Sequence, residues 1–495
     1  MIPDYLLQII EELELAGYEA WIVGGSVRDL LMKRPVTDWD LTTNARPEQV
    51  CDIFADAVYE NNFGTVIVKV REGEETVATV EVTTYRSEQG YADRRHPDQV
   101  RFEDSLDKDL ARRDFTVNAL ALRLVKPPLA NKAHHKVIEI DDEAYELADY
   151  FGGEQDIRQR VLRAVGEPAD RFKEDALRMM RAVRFLAQLD FKLEPKTERA
   201  IAKMPGAIKF IASERIHDEL VKIFASVNPY AGVMKLADLG LMQYIIPELM
   251  VAEGVKQNGH HIYDVFTHSV MALKHCPNKT YQVRIAALLH DIGKPKTKKI
   301  IDGAATFYNH EYVGAKMTER ILTRLKFSAD DVKQIVNLVR NHMFYYMVDE
   351  VTAASVRRLI AKTGRENLQD LIDLRIADRL GSGTPKAMPY KLRHLQYMFD
   401  KVASDPVSVK MLKFNGTDLM ETLKIAPGPK IGAILDCLLA EVLENPELND
   451  YEKLKARAEF FNTMELEALR KQAKELIEER REEDDRSLKK AHKVA

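Results

Sequence analysis

Trp21-Ile22-Val23-Gly24-Gly25-Ser26-Val27-Arg28-Asp29, followed shortly by Asp38-Trp39-Asp40, is the stretch from which the rest of the chain is read. The apolar run Ala20–Val23 predicts a buried strand that enters a glycine turn. In an extended strand, residues i and i+2 project from the same face, so Asp38 and Asp40 point together. Two carboxylates in that position can hold a divalent cation against a phosphate chain. Gly24 and Gly25 let backbone N–H groups approach phosphate oxygens with no Cβ in the way. Alone, the acid pair reads as an ordinary loop pair. With the glycine turn upstream, it predicts a metal-dependent nucleotidyl-transfer site.

At 495 residues the chain is too long for one ordinary core, so several domains are expected. With 45% hydrophobic and 31% charged residues, it has the composition of a soluble globular protein. It contains no apolar run near the ~18 residues that a membrane span needs, and Met1-Ile2-Pro3-Asp4-Tyr5 does not read as a secretory signal. Three widely spaced cysteines, Cys51, Cys276 and Cys437, suit a reducing cytoplasm rather than a disulfide framework. The net charge of −5 is a weak argument against nucleic-acid binding, because a local basic groove is sufficient. Basic clusters do occur at Arg94-Arg95, Arg112-Arg113, the series Arg178/Arg181/Arg184, and Lys294 to Lys299.

Residues 4–17 have helical spacing. Two β-rich runs, Phe63–Val70 and Thr76–Tyr85, flank Arg71-Glu72-Gly73-Glu74-Glu75 and predict a hairpin. Residues 86–105 read as a polar, mobile loop, and 107–125 as a helix and a strand. From about 154 the pattern is helical, with helices expected at 154–164, 173–189, 195–203, 213–226 and 230–239. The predicted architecture is α+β. A small mixed-sheet head (1–145) precedes an all-α remainder: a helical neck and body (146–255), a second helical domain (256–385) and a tail (386–495). The tail ends in a charged helix, Glu465 to Arg486, read as a solvated face or a partner surface.

Glu81, mid-strand in Thr79-Val80-Glu81-Val82-Thr83, is a third metal candidate or a solvent-facing acid. In Arg112-Arg113-Asp114-Phe115-Thr116-Val117-Asn118-Ala119, Asp114 and Asn118 stand i, i+4 on an expected helix and could grip a ribose, with Arg113 reaching phosphate. Taken alone, that segment reads as a capped helix start. Glu174-Asp175-Ala176-Leu177-Arg178 places Asp175 and Arg178 as i, i+3 neighbours. A carboxylate accepts and a guanidinium donates. Such a pair matches cytosine and adenine, each of which presents an amine donor beside a ring-nitrogen acceptor. Guanine and uracil would leave buried groups unpaired, at ~1–3 kcal/mol each. Each i+3 step rotates about −60° around a helix, so Arg184 points away from Asp175, towards phosphate, acceptor RNA or an acidic partner. Without the other motifs, the series reads as a salt-bridged amphipathic helix.

The order of these motifs resembles the class II tRNA nucleotidyltransferases, the CCA-adding enzymes, with their relatives the bacterial poly(A) polymerases. The match covers about residues 18–250. The resemblance implies that Asp38 and Asp40 are catalytic and bind Mg²⁺. It implies that Gly25, Arg28 and Arg113, with Asp114 and Asn118, contact incoming ATP or CTP. It also implies that Asp175, Arg178, Arg181 and Arg184 line a nucleotide-selecting helix, in a head, neck, body and tail arrangement. The implied activity is addition of C, C and A to the tRNA 3′ end without a nucleic-acid template. The segment Tyr85–Pro97 resembles the flexible loop that CC-adding forms lack, which leaves full CCA addition or an A-adding form. A poly(A) polymerase is a further alternative, although such enzymes often carry a strongly basic extension and this tail is mixed.

His290-Asp291 lies in Arg284-Ile285-Ala286-Ala287-Leu288-Leu289-His290-Asp291-Ile292-Gly293-Lys294, with His268 upstream and His310, His342 and Asp378 downstream. Imidazoles with carboxylates suit transition metals. This set resembles the HD phosphohydrolase superfamily over about 260–385. The implied core ligands are His268, His290, Asp291 and Asp378, with His310 and His342 as extra ligands. The implied metals are Ni²⁺, Mn²⁺ or Co²⁺, and the implied chemistry is hydrolysis of phosphate esters such as 2′,3′-cyclic phosphates in repair of tRNA ends. His217, His260, His261 and His275 fit no such pattern. An alternative from another class is an HD phosphohydrolase whose head only binds RNA, against which the intact Asp38 and Asp40 argue.

Overall fold

Strand β1 (Ala20–Val23) is apolar throughout and buried along its whole length. The computed structural model that places it describes residues 2–59, 64–89, 99–125, 133–257, 262–344, 353–383, 390–403 and 412–471. Beside β1 runs β2 (Asp40–Thr43), antiparallel to it. Next in sequence come β3 (Ala57–Tyr59), β4 (Thr65–Glu72) and β5 (Glu75–Thr84). The expected hairpin is β4 with β5, which turns at Gly73, a glycine at φ 66°. A separate antiparallel pair follows, β6 (Arg86–Gln89) with β7 (Gln99–Phe102). The main sheet is completed by β8 (Ala121–Leu124), β9 (His135–Ile140) and β10 (Glu143–Ala148). Its eight strands lie in the order β3-β4-β5-β2-β1-β8-β10-β9.

The sheet is mixed because β2 pairs parallel with β5 while its other neighbours are antiparallel. That register places Asp40 opposite Val23 on one side and opposite Glu81 on the other. The helix Leu106–Ala111 packs Leu106 and Leu110 against Trp21, Val23 and Tyr85 beneath the sheet.

The remainder is mostly helical, with three corrections to the expected elements. The helix expected at 154–164 spans Gly153–Gln159, because Arg160 takes a left-handed conformation at φ 54° and ends it. The expected helix 173–189 is two helices, Pro168–Glu174 and Leu177–Leu189. Asp175 sits between them in an extended conformation, and its side chain accepts the Leu177 N–H at 2.9 Å. The region expected to be all-α also holds two small sheets: β11 (Val161–Leu162) with β12 (Lys192–Leu193), and β13 (Lys299–Ile301) with β14 (Ala304–Thr306). Helices Pro195–Lys203, Ser213–Phe224 and Pro229–Asp238 lie where the periodicity places them.

The loop expected over 86–105 is flanked by the paired strands β6 and β7, while residues 90–98, which hold Arg94-Arg95, lie outside the described residues. So do His260, His261 and residues 472–495 of the charged C-terminal segment. No helix among the described residues is long and apolar enough to cross a membrane.

Two compact units are present. The first comprises Met1–Arg340 with Ala377–Thr384, and the second Asn341–Ile376 with Pro385–Ala495. The second has two apolar clusters of its own, one around Ile372, Leu395 and Phe399 and one around Phe414, Leu438 and Phe461.

Gly153 ties the sheet to the first helix beyond it. A Cβ at that position would lie 2.2 Å from the Thr116 carbonyl oxygen. Gly153→Ala is expected to force the Thr116 turn and the helix apart and to destabilise the fold by ~1–3 kcal/mol. Equilibrium denaturation measures this, and an unchanged midpoint would show that the approach can relax freely.

Candidate active site and metal cluster

The glycine turn, the acid pair and the arginine series all line one cavity of about 790 Å³ in the first unit. Gly24 has φ 80° and ψ −137°, a backbone region open to glycine. A Cβ there would come within 3.0 Å of Arg113 Nη1 and 3.4 Å of Asp40 Oδ2, so the missing side chain is what lets these groups converge. Trp39 is buried, while Asp38, Asp40 and Glu81 face the cavity. Burial pushes the Asp40 carboxyl up, Arg113 draws it down, and Asp38 pushes it up again, for a net rise. An all-oxygen set of Asp38, Asp40 and Glu81 has the chemistry that a hard divalent cation requires.

Arg28 is buried beside this corner. It donates to Asn118 Oδ1 at 2.7 Å and forms an ion pair with Asp29 at 2.7 Å. Asp114 and Asn118 bond at 3.2 Å, but not along a regular α-helix as expected. Residues 116–118 form a single 3₁₀ turn, and Asp114 precedes it, accepting the Phe115 N–H at 2.9 Å. Its other oxygen accepts Arg181 Nε at 2.7 Å. Burial pushes Asp114 up, but Arg181 and Arg178 outweigh it and hold the carboxyl below the usual range.

Asp175 and Arg178 both line the cavity, each held by a different partner rather than as the expected helical pair. Asp175 accepts two bonds from Arg215, at 2.7 and 3.3 Å. Arg178 pairs with Glu174 at 2.7 Å and donates to the Arg112 carbonyl at 3.1 Å. Arg184 pairs with buried Glu219 at 3.0 Å, and burial brings its guanidinium down to about 10. The guanidinium carbons of Arg28, Arg181 and Arg184 surround the Phe185 ring at 5.2, 5.5 and 4.3 Å, which orders the array.

Three groups here escape a reading of the sequence. Asp109 is fully buried and pairs with Arg112 at 2.9 Å and Arg113 at 3.5 Å. Its i, i+3 and i, i+4 spacing to those arginines is a signal that could have exposed it. Arg215 and Glu219 reach the site from the helix Ser213–Phe224, and such tertiary pairing leaves no local signature.

A second cluster lies in the same unit. Four of the expected HD residues converge: His268 Nε2 stands 3.0 Å from His290 Nε2, 3.2 Å from Asp291 and 3.2 Å from Asp378. His310 Nε2 stands 3.2 Å from the other oxygen of Asp291. His290 Nδ1 faces the Ala287 carbonyl at 2.8 Å and His310 Nδ1 the Phe307 carbonyl at 2.9 Å. Those carbonyls fix the tautomers and leave Nε2 aimed into the cluster, the orientation a metal-ligating histidine needs. Burial draws His290 down, but Asp291 and Asp378 push harder in the other direction, up to about 10. An arriving cation would displace those protons. His342 is also buried and belongs to the second unit.

Comparison with known proteins places three segments of the chain in known families. Residues 20–163 match the "Poly A polymerase head domain", residues 190–253 the "Probable RNA and SrmB- binding site of polymerase A", and residues 259–382 the "HD domain". The chain is 37% identical to an A-adding tRNA nucleotidyltransferase of Deinococcus radiodurans, over 69% of this chain and 76% of that one. It is 46% identical to a CCA-adding enzyme of Lactobacillus helveticus, over 46% of this chain and 52% of that one, so it spans about half of that relative's length. The Bacillus stearothermophilus CCA-adding enzyme, solved in complex with CTP, superposes with a TM-score of 0.59 at 28% identity, covering 94% of this chain and 98% of that one. A poly(A)-polymerase-type head and an HD domain thus occur together in a chain that belongs to the tRNA nucleotidyltransferase family.

Proposed function

We propose that this protein adds C, C and A to the 3′ end of tRNA from CTP and ATP, with Asp38 and Asp40 as its catalytic acids. The observation that carries this reading is the shared cavity, which Asp38 and Asp40, Asp175 and Arg178, and further arginines all line. The tRNA 3′-hydroxyl attacks the α-phosphate of the bound nucleotide. A P–O bond forms to the ribose oxygen as the bond to pyrophosphate breaks. Mg²⁺ held by Asp38 and Asp40 supplies polarisation of both oxygens when bound. Arg28 and Arg113 orient the phosphates, and Gly25 admits them close to the backbone. Asp114 and Asn118 receive the ribose and fix Arg28 and Arg181. Asp175 and Arg178 read the base edge, trading their contacts with Arg215 and Glu174 for the amine and ring nitrogen of cytosine or adenine. Arg181 and Arg184 line the selecting helix.

The name of the Deinococcus radiodurans relative favours a second reading, addition of A alone. Incorporation of labelled CTP and ATP on tRNA ending at its discriminator base, at C, or at CC separates the two. A poly(A) polymerase would instead extend with many A residues.

The His268, His290, Asp291 and Asp378 cluster is proposed as an HD phosphohydrolase site for a borderline metal, Ni²⁺, Mn²⁺ or Co²⁺, with His310 as a further ligand. It would clear phosphate esters, including 2′,3′-cyclic phosphates, from damaged tRNA ends. The three free cysteines suit the cytoplasm, where such RNA ends arise.

Asp38→Ala and Asp40→Ala are each expected to abolish incorporation of both nucleotides while tRNA affinity barely changes, because binding comes mainly from phosphate contacts elsewhere. Substantial residual transfer in filter-binding assays of labelled product would remove these acids from the site.

Asp175→Ala or Arg178→Ala should lower discrimination against UTP and GTP along with the rate. The lost partner would no longer penalise the wrong base, a loosening of about five- to a hundredfold. Unchanged preference at normal activity would leave these residues a structural role alone.

His290→Ala or Asp291→Ala should eliminate hydrolysis of 2′,3′-cyclic phosphates with Ni²⁺, Co²⁺ or Mn²⁺ and reduce bound transition metal. CTP and ATP addition should stay near wild type. A wild-type chain with neither bound metal nor phosphoesterase activity would defeat the HD reading.

A further inference from the structure

Between Asp291 and His310 the chain forms the short helix Lys294–Thr297 and then the β13–β14 hairpin. Both ends of this excursion are tied to the HD cluster. Lys294 Nζ lies 2.6 Å from Asp291, and the Phe307 carbonyl meets His310 Nδ1 at 2.9 Å. A hairpin anchored so closely at each end stands at the rim of the cluster.

Its surface is unusual for a segment that only connects two helices. Ile300 is 66% exposed, Ile301 46% and Tyr308 72%. Ile300 pairs with Ala305 and Ile301 with Ala304, so the isoleucines stand on opposite faces of a thin two-stranded ribbon. Side chains left in water in this way contribute little to the fold. The stretch Lys294–Tyr308 also carries four lysines against one aspartate, in a chain whose net charge is −5. Lys296, Lys298 and Lys299 are exposed. Cations interleaved with exposed aromatic and apolar side chains fit single-stranded nucleic acid, with phosphates on the lysines and a base stacked on the ring. An acidic protein or a second copy of the chain could also meet such a ribbon. The adjoining cluster of His and Asp side chains, whose chemistry suits a phosphate ester, favours RNA.

We propose that the 294–308 hairpin docks the single-stranded 3′ end of an RNA and presents its terminal phosphate ester to the His268, His290, Asp291 and Asp378 cluster. This rests on the HD phosphohydrolase reading and names the surface that brings the RNA end to that site.

The test uses the full chain with Mn²⁺ or Ni²⁺ and two probes, 2′,3′-cyclic AMP and a short single-stranded RNA ending in a 2′,3′-cyclic phosphate. Combined Lys296→Ala, Lys298→Ala and Lys299→Ala should lower kcat/KM on the RNA about tenfold. It should also reduce the slope of log kcat/KM against log salt by about two, at ~0.7 per single-strand phosphate contact. Hydrolysis of the mononucleotide should stay near wild type, and retained CTP and ATP addition reports an intact fold. Equal effects on the two probes, or none on either, would overturn the proposal and leave the phosphohydrolase reading standing. Photocrosslinking decides even if no hydrolysis is seen: thiouridine near the RNA 3′ end should crosslink to Phe307 or Tyr308. Crosslinks confined to other segments, or variants that change only the oligomeric state, would sink it.

Discussion

A carboxylate withdrawn from water costs several kcal/mol unless its lone pairs are met by donors or charge. Asp114 is such a group, buried where the sheet gives way to the helices. One oxygen takes the Phe115 N–H and the Asn118 amide, and the other takes Arg181. Asn118 in turn accepts Arg28, which pairs with Asp29. A continuous relay therefore runs from the glycine turn to the helix Leu177–Leu189. Moving either end leaves a buried charge uncompensated, so the sheet and the helix are held in one register. The cavity between them inherits its shape from that constraint.

Charge within the cavity explains how a chain of net −5 can handle anions. Eight cationic side chains line it against six acidic ones. The acids do not neutralise the cations evenly. Asp109 and Asp114 sit behind Arg112, Arg113 and Arg181 as buried counterions, which fixes the guanidiniums without shielding their outer faces. Asp40 stands opposite Glu81 on the adjacent strands β2 and β5, in the middle of the sheet, and both line the cavity with Asp38. The site is thus divided into an acid corner suited to a cation and a basic wall suited to phosphate, and a net-charge count averages this division away.

Where the sequence is legible, a local physical rule is at work. β1 is readable to the residue because four apolar side chains end at a glycine turn. Pro195–Lys203 is readable because a proline sits at its first position with apolar residues behind it at helical spacing. The strands β6, β7, β9 and β13 are not legible, since polar and charged side chains at sheet edges break the alternation that marks a strand. The break at Asp175 is hidden as well. Glu174-Asp175-Ala176-Leu177 would suit a helix, and its interruption depends on an aspartate that captures the Leu177 N–H and binds Arg215 from another helix. The acid pair, the glycine turn and the core HD histidines were visible as residue types in order. Asp109, Arg215 and Glu219 became visible only once the fold brought them to the arginines.

The two candidate metal clusters differ in the donors they offer. The acid corner offers oxygen donors, and a hard ion that keeps part of its water shell suits it. The HD cluster offers imidazole nitrogens with carboxylates, a set that binds later transition metals more tightly. It is also buried; burial draws His268 and His290 down, but Asp291 and Asp378 raise both above the usual imidazole range, so metal entry is coupled to proton release. An abundant hard ion competes poorly for such a site, while a scarce transition metal gains little from the open acid corner. On the proposed reading, ligand chemistry would keep the transfer site and the hydrolytic site from drawing on the same ion.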